Sequence, residues 1–278
     1  MQPIEAITLL IILVTTYFSY RGFQDPFFFE QYLFETDAIL VRKEYFRLLS
    51  SAFLHGSWLH LILNMAALYS FSFSVGYVLG VRNFLLIYFG SLLAGNLLSL
   101  YFHRNHGDYS AIGASGAVSG MIFASIAIFP ESRMGILFLP FEMPAWLFGT
   151  AFILLSIYGV KASVGNIGHD AHLGGAIAGI LLCIGLEPRI LQMHPWVVAA
   201  ILTPFVLFMV VVLRRPELML VEDYVAYEQK RLSEYQSVRR QIRNEAELDR
   251  LLEKVQAQGL QSLSKREKAT LDQLSKNL

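Results

Sequence analysis

Residues 58–102 read WLHLILNMAALYSFSFSVGYVLGVRNFLLIYFGSLLAGNLLSLYF, and the only charged side chain among them is Arg82. About 20 apolar residues suffice for a helix to cross the hydrocarbon core of a bilayer, so this stretch is long enough for two crossings. Its two apolar blocks, Trp58–Tyr77 and Phe84–Phe102, flank the short segment that contains Arg82. The stretch therefore predicts two membrane-spanning helices that follow one another closely.

Five further apolar segments accompany this pair. They are Ala6–Tyr20, Ala114–Phe129, Ala145–Val160, Ala171–Leu186 and Trp196–Leu213. None of the seven segments contains Asp, Glu, Lys or Arg, and only 16% of the whole chain is charged, against about 25% in soluble domains. This composition excludes a disordered chain and predicts an all-α polytopic membrane protein with seven spans.

The charged residues concentrate at the C-terminal end. Residues 216–278 hold 11 of the 22 basic and 11 of the 22 acidic side chains. We therefore predict three parts: a membrane domain at 1–190, a seventh span within 191–215, and a charged helical tail at 216–278, suited to binding a protein partner. A net charge of zero gives no basic excess for nucleic acid. The single cysteine, Cys183, cannot form an internal disulfide or a cysteine-based zinc site.

The tail carries local signals for helices. Four apolar residues recur in it at helical spacing: Leu248, Leu251, Leu252 and Val255. Gly259 follows them as a typical C-terminal stop, and Ser264 with Glu267 forms the capping-box signature that opens a second helix. A longer polar helix is expected around Glu222–Arg243.

The segment Arg21–Ser57, between the first two spans, mixes aromatic with charged side chains. Phe27 and Phe28, for example, stand beside Glu30. Such amphipathic sequence predicts a loop in the headgroup region of the bilayer; a loop that merely connects the two spans carries equal weight. A second short apolar piece, Met134–Phe141, cannot span and is predicted to be re-entrant or interfacial.

Polar residues inside apolar helices are functional candidates, because the bilayer offers no water to satisfy them. Ser115 opens the fourth span between Gly113 and Gly116, whose small size leaves the hydroxyl accessible. His172 opens the sixth span ahead of Gly175. Glycine faces on both helices allow a close approach. We therefore predict that Ser115 and His172 hydrogen-bond, as a nucleophile and its general base must.

A second polar pair lies on the second span. His60 and Asn64 are four residues apart and share one helix face, so together with the Ser115 backbone N–H they could stabilise an oxyanion. Asp170 lies two residues before His172 on the helix and is expected to point elsewhere. The residues thus predict a Ser–His dyad rather than a triad. Each element alone is more often packing, capping or interhelical hydrogen bonding; their order on three spans is the specific signal.

The order H-x-x-x-N, G-x-S-G and A-H-x-x-G, each on its own span, resembles the rhomboid family of intramembrane serine proteases. The resemblance covers about Ala6–Leu186 and implies a rhomboid-like six-helix bundle, followed here by the seventh span and the tail. The matching residues are Phe46, Arg47, His55, His60, Asn64, Gly113, Ala114, Ser115, Gly116, His172, Leu173, Gly174, Gly175 and Gly179. Phe46 stands where the family often has Trp, and Ser119 where many members place an aromatic ring against the histidine.

The resemblance implies a role for each matched residue. Ser115 is the expected nucleophile and His172 the base, with His60, Asn64 and the Ser115 N–H at the oxyanion. The expected structural supports are Gly113, Gly116, Gly175, Gly179 and Arg47. No metal or cofactor is expected. The substrates would be transmembrane segments of other proteins, cut near the membrane surface. The seventh span and the tail resemble some bacterial members, which points to a bacterial inner membrane.

Hydrolysis inside a membrane also requires water. Six polar side chains are candidates for holding it: His55, His60, Asn64, Ser115, Asn166 and His169. Two other functions compete with the protease. One is a catalytically silent adaptor that binds transmembrane helices. The other is a small transporter with a polar pathway, which ranks lowest because the sequence shows no inverted repeat.

Charge and resemblance disagree about the orientation of the chain in the membrane. The loops on the N-terminal side carry only Arg82, Arg133 and Arg189, and the opposite side is richer in basic residues. The positive-inside rule would place that richer side in the cytoplasm, whereas the resemblance places it outside with the active site. We favour the resemblance, because much of the excess lies in one long interfacial loop. Seven spans then put the tail outside; six would put it in the cytoplasm.

Overall fold

The computed structural model describes residues 2–135, 142–162, 167–215, 247–256 and 259–275. Contacts divide the chain into two compact units, Met1–Met219 and Leu220–Leu278. The helices of the first unit are α1 (Pro3–Gln24), α2 (Pro26–Tyr32), α3 (Thr36–Leu40), α4 (Arg47–Ser50), α5 (Trp58–His103), α6 (Ser115–Ile128), α7 (Ala145–Ala162), α8 (His169–Leu186), α9 (Arg189–Met193) and α10 (Pro195–Arg214). Two antiparallel ribbons join β1 (Phe34–Glu35) to β2 (Ser110–Ala111) and β3 (Arg133–Gly135) to β4 (Glu142–Pro144).

Among the described residues, five helices are long and apolar enough to cross a membrane: α1, α5, α7, α8 and α10. A sixth apolar helix, α6, has only 14 residues and is therefore about 21 Å long. All seven predicted spans fall on these six helices, two of them on α5. The predicted all-α polytopic membrane fold is confirmed.

The long helix α5 bends back at Gly80. As one straight helix its 46 residues would extend about 69 Å, more than twice the thickness of a bilayer core. Gly80 has φ 79° and ψ 165°, a conformation that glycine adopts at little cost. Ser74, before the bend, bonds to Ser125 near the end of α6, whereas Gly95, after it, packs by Gly116 near the start of α6. The two halves of α5 therefore run in opposite directions, as the two predicted spans require.

The short helix α6 lies at the centre of the first unit. Eleven of its fourteen residues are buried, and it packs against both α5 and α8. The helices α1, α7 and α10 lie further out, and each exposes a row of large apolar side chains. A helix that is apolar on all sides is typical of such a buried position.

The first loop, which the sequence placed at Arg21–Ser57, contains α2, α3, α4 and β1. The side chain of Arg47 is buried within this loop. Its guanidinium donates to the carbonyl oxygens of Glu30 and Leu33 at 2.7 and 2.8 Å, and it pairs with the Glu44 carboxylate at 2.6 Å. This pairing lowers the pKa of Glu44. Arg47 thus connects the end of α2 with the segment before α4. The position of this loop in the headgroup region stays a prediction.

The segment Met134–Phe141 begins as a strand in its described part. Met134 pairs with Met143, and Gly135 pairs with Glu142, in the β3–β4 ribbon. Residues 136–141 lie outside the described residues, so the predicted re-entrant or interfacial placement stays a prediction.

In the second unit, residues 247–256 form α11 and Lys265–Ser275 form α12. Gly259, with φ 81°, ends α11 by donating its N–H to the Val255 carbonyl at 2.8 Å. Ser264 and Glu267 exchange reciprocal hydrogen bonds at the start of α12. The predicted helix stop and capping box are therefore confirmed. The helix expected around Glu222–Arg243 lies outside the described residues.

Candidate active site

Ser115 and His172, the predicted nucleophile and base, lie in direct contact. The Nε2 atom of His172 is 2.6 Å from the Oγ atom of Ser115. Ser115 is the first residue of α6 and His172 lies in the first turn of α8, so both side chains sit at the same end of the two helices. Each is only partly buried, so a reacting group can reach the pair.

Glycines bring α6 and α8 together at the level of their backbones. A Cβ atom placed on Gly175 would overlap the carbonyl of Gly116, and one placed on Gly179 would overlap the carbonyl of Gly120. The two predicted glycine faces are therefore in contact. Only hydrogen fits at these positions, because the neighbouring atoms are backbone, which cannot rotate away as a side chain does.

Gly113 shapes the turn that leads into Ser115. Its φ of 115° lies in a region that side chains rarely allow. A Cβ atom here would also come within 2.9 Å of the His60 ring. The position therefore requires glycine for two reasons, and it places the His60 imidazole directly beside the backbone that leads into Ser115.

His60 and Asn64 share a face of α5, as predicted from their spacing. The Asn64 amide is buried and donates to the carbonyl of His60 at 3.0 Å. An amide has a second N–H, so this contact uses only one of its two donors. The structure thus brings His60 to the turn before Ser115 and fixes the side chain of Asn64 by one hydrogen bond.

Asp170 faces away from His172, as the sequence predicts. Its Oδ2 atom lies 3.0 Å from Nε2 of His103, the last residue of α5. The carboxylate therefore does not contact the imidazole of His172, and the pair Ser115–His172 is a dyad in its geometry.

Phe152 supplies the aromatic neighbour that Ser119 cannot. Ser119 is buried in α6, whereas the Phe152 ring of α7 has its centroid 6.2 Å from that of His172, within the usual range for aromatic pairs. Sequence reasoning missed this contact, because the family pattern places the aromatic ring on the helix of the nucleophile.

His55 is joined to the same turn by a chain of hydrogen bonds. Its Nε2 atom accepts from the Ala114 N–H at 3.5 Å, and its Nδ1 atom lies 2.9 Å from the hydroxyl of Ser19, which in turn donates to the carbonyl of Phe53. Burial, together with the nearby His60 ring, lowers the pKa of His55 to about 3. The imidazole is therefore neutral and accepts at Nε2. Of the other predicted water-holding residues, His169 lies beside His172 and Asn166 is outside the described residues.

Comparisons with known proteins identify the family of the chain. A family model described as the Rhomboid domain matches residues 42–189, just over half of the chain. A second model, described as a family of unknown function (DUF6576), matches residues 234–277. The second match shows that the tail has relatives, but it does not indicate a function.

Three relatives illustrate the similarity. Rhomboid protein 1, mitochondrial, of Saccharomyces cerevisiae is 33% identical over 51% of this chain and 43% of its own length. The presenilin-associated rhomboid-like protein, mitochondrial, of Homo sapiens is 36% identical over 48% of this chain and 36% of its own. Rhomboid protease GluP of Bacillus subtilis is 31% identical over 54% and 28%. The chain thus spans less than half the length of each relative.

The family match includes every residue of the candidate site on α5, α6 and α8, together with the first-loop Arg47. It also lies within the unit that contains the apolar helices. The chain therefore belongs to the rhomboid family and is a multi-pass membrane protein.

Proposed function

We propose that this chain is an intramembrane serine endopeptidase that hydrolyses peptide bonds in or next to transmembrane segments of other membrane proteins. The observation that carries the proposal is the 2.6 Å separation between Ser115 Oγ and His172 Nε2. A serine hydroxyl is a weak nucleophile near neutral pH unless a base takes its proton. The relative named as a protease, that of Bacillus subtilis, supports the same chemistry.

In the proposed reaction, Nε2 of His172 accepts the proton of the Ser115 hydroxyl while Oγ attacks the scissile carbonyl carbon. The C–N bond then breaks as the imidazolium returns this proton to the leaving amine, and an acyl-enzyme remains on Ser115. A water molecule repeats the cycle: His172 takes its proton while the water oxygen attacks the ester carbon. The bond between that carbon and Ser115 Oγ then breaks, Oγ recovers the proton from His172, and the new carboxyl end of the substrate leaves. No group outside the dyad exchanges a proton.

The tetrahedral intermediate carries a negative oxygen that needs hydrogen-bond donors. We assign this task to the Ser115 backbone N–H, the His60 ring beside Gly113, and the second N–H of Asn64. Two observations support this assignment: the His60 ring lies beside the turn that carries Ser115, and one Asn64 N–H is held by the His60 carbonyl. Donors fixed in this way stabilise charge without having to reorganise during the reaction.

The first test replaces the members of the dyad. Ser115→Ala and His172→Ala should each abolish cleavage of a minimal transmembrane substrate in detergent, because each removes a group that forms or breaks a bond. The melting temperature should change little, since both substitutions only shorten side chains that are partly exposed. A Ser115→Ala protein that still cleaves this substrate would rule out the proposed protease.

The second test concerns the oxyanion. His60→Ala or Asn64→Ala should lower kcat by about 10²–10³-fold with a smaller change in KM, because the lost donor acts mainly in the transition state. The measurement is steady-state cleavage of the same substrate. Unchanged rates in both variants would mean that the two side chains only join helices.

The alternative function is a silent adaptor that binds transmembrane helices without cutting them. A serine-directed fluorophosphonate probe separates the two functions, because it labels only an activated serine. Labelling of the wild type and not of Ser115→Ala supports the protease, and no labelling of either supports the adaptor.

We also propose that the host membrane is a bacterial inner membrane. The support is the order of six spans, a seventh span and a charged tail, together with the bacterial relative; two of the relatives described above are mitochondrial. Fractionation of the source cells, followed by immunodetection of the chain, tests this location.

A further inference from the structure

The most deeply buried carboxylate near the candidate site is that of Asp170, in the first turn of α8, with 4% of its surface exposed. Its nearest basic group is His103, whose Nε2 atom lies 3.0 Å from Oδ2. This is a close polar contact rather than a hydrogen bond, because Oδ2 has no hydrogen-bond partner among the described residues. A buried carboxylate is costly without a polar partner, so the start of α8 is held in place through this contact with the end of α5.

The other side of the His103 ring is equally constrained. It stacks on the Tyr109 ring in parallel, with centroids 3.4 Å apart and planes within 3°. The hydroxyl of Tyr109 lies 3.3 Å from that of Ser99, and its backbone carbonyl accepts from the N–H of Thr36. Tyr109 immediately precedes β2, and the chain runs from β2 to the turn that carries Ser115. His103 is thus sandwiched between the segment leading to Ser115 and the helix that carries His172.

We propose that His103 is a positioning residue for the dyad, an inference that rests on the proposed protease function. Its Nε2 atom contacts the carboxylate of Asp170, two residues before the base, while its ring stacks on Tyr109, six residues before the nucleophile. The side chain touches neither Ser115 nor His172; it sets the distance between the two segments that carry them. A displacement of about 1 Å between reacting groups can cost about 100-fold in rate. Such a displacement would break the 2.6 Å contact of the dyad.

Two substitutions separate the two contacts of His103. His103→Gln keeps an N–H that can reach Asp170, although it loses the ring. His103→Phe keeps a ring on Tyr109 and leaves the Asp170 carboxylate buried without its basic partner. Asp170→Asn removes that charge, so the double variant His103→Phe/Asp170→Asn has neither the contact nor a buried charge.

The experiment measures kcat, KM and melting temperature for these variants on one minimal transmembrane substrate in detergent. His103→Phe should lower kcat about 100-fold with little change in KM, and should lower the melting temperature. The double variant should regain thermal stability while its kcat stays low. His103→Gln should recover part of the lost kcat, since a polar contact with Asp170 is restored while the ring on Tyr109 is not.

The double variant distinguishes positioning from a purely structural role. If its melting temperature and its kcat both return to wild-type values, His103 only neutralises a buried charge and the proposal is overturned. A kcat for His103→Gln as low as that for His103→Phe overturns it as well, and so does a wild-type kcat for His103→Phe. If His103→Phe does not fold, the double variant carries the test.

Two controls accompany the series. His194→Phe makes the same substitution at the junction of α9 and α10 and should leave kcat and KM unchanged. The wild type and Ser115→Ala are assayed in parallel. A wild type that does not cleave contradicts the proposed function itself, whereas a cleaving wild type with unaffected His103 variants contradicts only the inference.

Discussion

Two helix contacts in the membrane unit are built in opposite ways. At the centre, α6 meets α8 through backbone atoms, and a Cβ atom on Gly175 would overlap the carbonyl of Gly116. At the periphery, Gly149 of α7 faces the tips of side chains, Ile126 Cδ1 at 3.0 Å and Ile201 Cδ1 at 3.4 Å. Side-chain tips can rotate away from an added methyl group, but a helix backbone cannot. The central contact is therefore rigid, and the peripheral one can adjust.

The difference coincides with the candidate chemistry. The rigid contact carries Ser115 and His172, and the proposed mechanism requires these two side chains to keep one distance. The adjustable helices α7 and α10 face outward, and α7 exposes Leu154, Leu155 and Tyr158. A substrate helix arriving from the bilayer would meet such an outer surface first, so adjustability at the periphery and rigidity at the centre suit two different tasks.

The largest effect is expected where a methyl group is forced into the central contact. Gly175→Ala should lower kcat at least about 100-fold, because separating the helices pulls His172 from Ser115. It should also lower the free energy of unfolding by about 1–3 kcal/mol through overpacking. The measurements are cleavage of a minimal transmembrane substrate and thermal melting in the same detergent.

Two matched glycines serve as controls for Gly175→Ala. Gly185 lies in the same helix with no atom within 4 Å of an added Cβ, so Gly185→Ala should keep full activity. Gly149→Ala should also remain active, since only side-chain tips need to move. Wild-type activity for Gly175→Ala would mean that α6 and α8 do not meet through their glycines. Inactivity of Gly149→Ala would remove the contrast between centre and periphery.

An intermediate effect is expected at Phe152, because this residue of the peripheral helix α7 lies beside His172. Phe152→Leu removes the ring beside His172, and an aromatic pair of this kind contributes about 0.5–1.5 kcal/mol. If that energy holds the imidazole in its reactive orientation, kcat should fall between about twofold and tenfold with the melting temperature nearly unchanged.

Phe148→Leu, one turn earlier on α7, is the matched control for Phe152→Leu. Its ring neighbours that of Phe152, with centroids 6.4 Å apart, so kcat should fall less than in Phe152→Leu. Equal losses from the two substitutions would indicate a general loosening of α7 rather than support of His172.

The smallest effect is expected outside the membrane unit altogether. Removal of residues 216–278 should leave cleavage of the minimal substrate intact, because this segment holds none of the proposed catalytic residues and nearly all of it falls in a separate compact unit. A role in partner binding would appear only with natural substrates or in cellular assembly. A truncated protein that is folded but inactive would show that the tail belongs to the catalytic unit.

Local sequence patterns predicted those structural features that depend on residues close together in the chain. The spans follow from the length of uncharged apolar runs. The glycine faces of α6 and α8 and the capping box of α12 follow from spacings of three or four residues, where a helix repeats itself. The direction of Asp170 was predictable for the same reason. These features required only the helix geometry and the burial of apolar faces.

Contacts between segments that are far apart in the chain could not be predicted from the sequence. His103 and Asp170 are separated along the chain by α6 and α7, and Phe152 reaches His172 from a helix that carries no motif. Neither pair has a spacing that a helical or strand pattern would reveal. The short β1–β2 pairing, which places Tyr109 beside His103, was likewise invisible, because two-residue strands have no period to recognise.

The hydrogen-bond chain from Ser19 through His55 to Ala114 couples folding to acidity. In the unfolded chain a histidine binds a proton near its ordinary pKa of about 6.5, whereas in the fold the pKa of His55 is lowered to about 3. Between these values the unfolded state binds more protons, so the free energy of unfolding falls as the pH decreases. A protonated His55 would also present an N–H to the N–H of Ala114, the residue before Ser115, and this hydrogen bond would be lost. The stability of the fold therefore depends on pH, because the hydrogen bond from Ala114 requires the neutral form of His55.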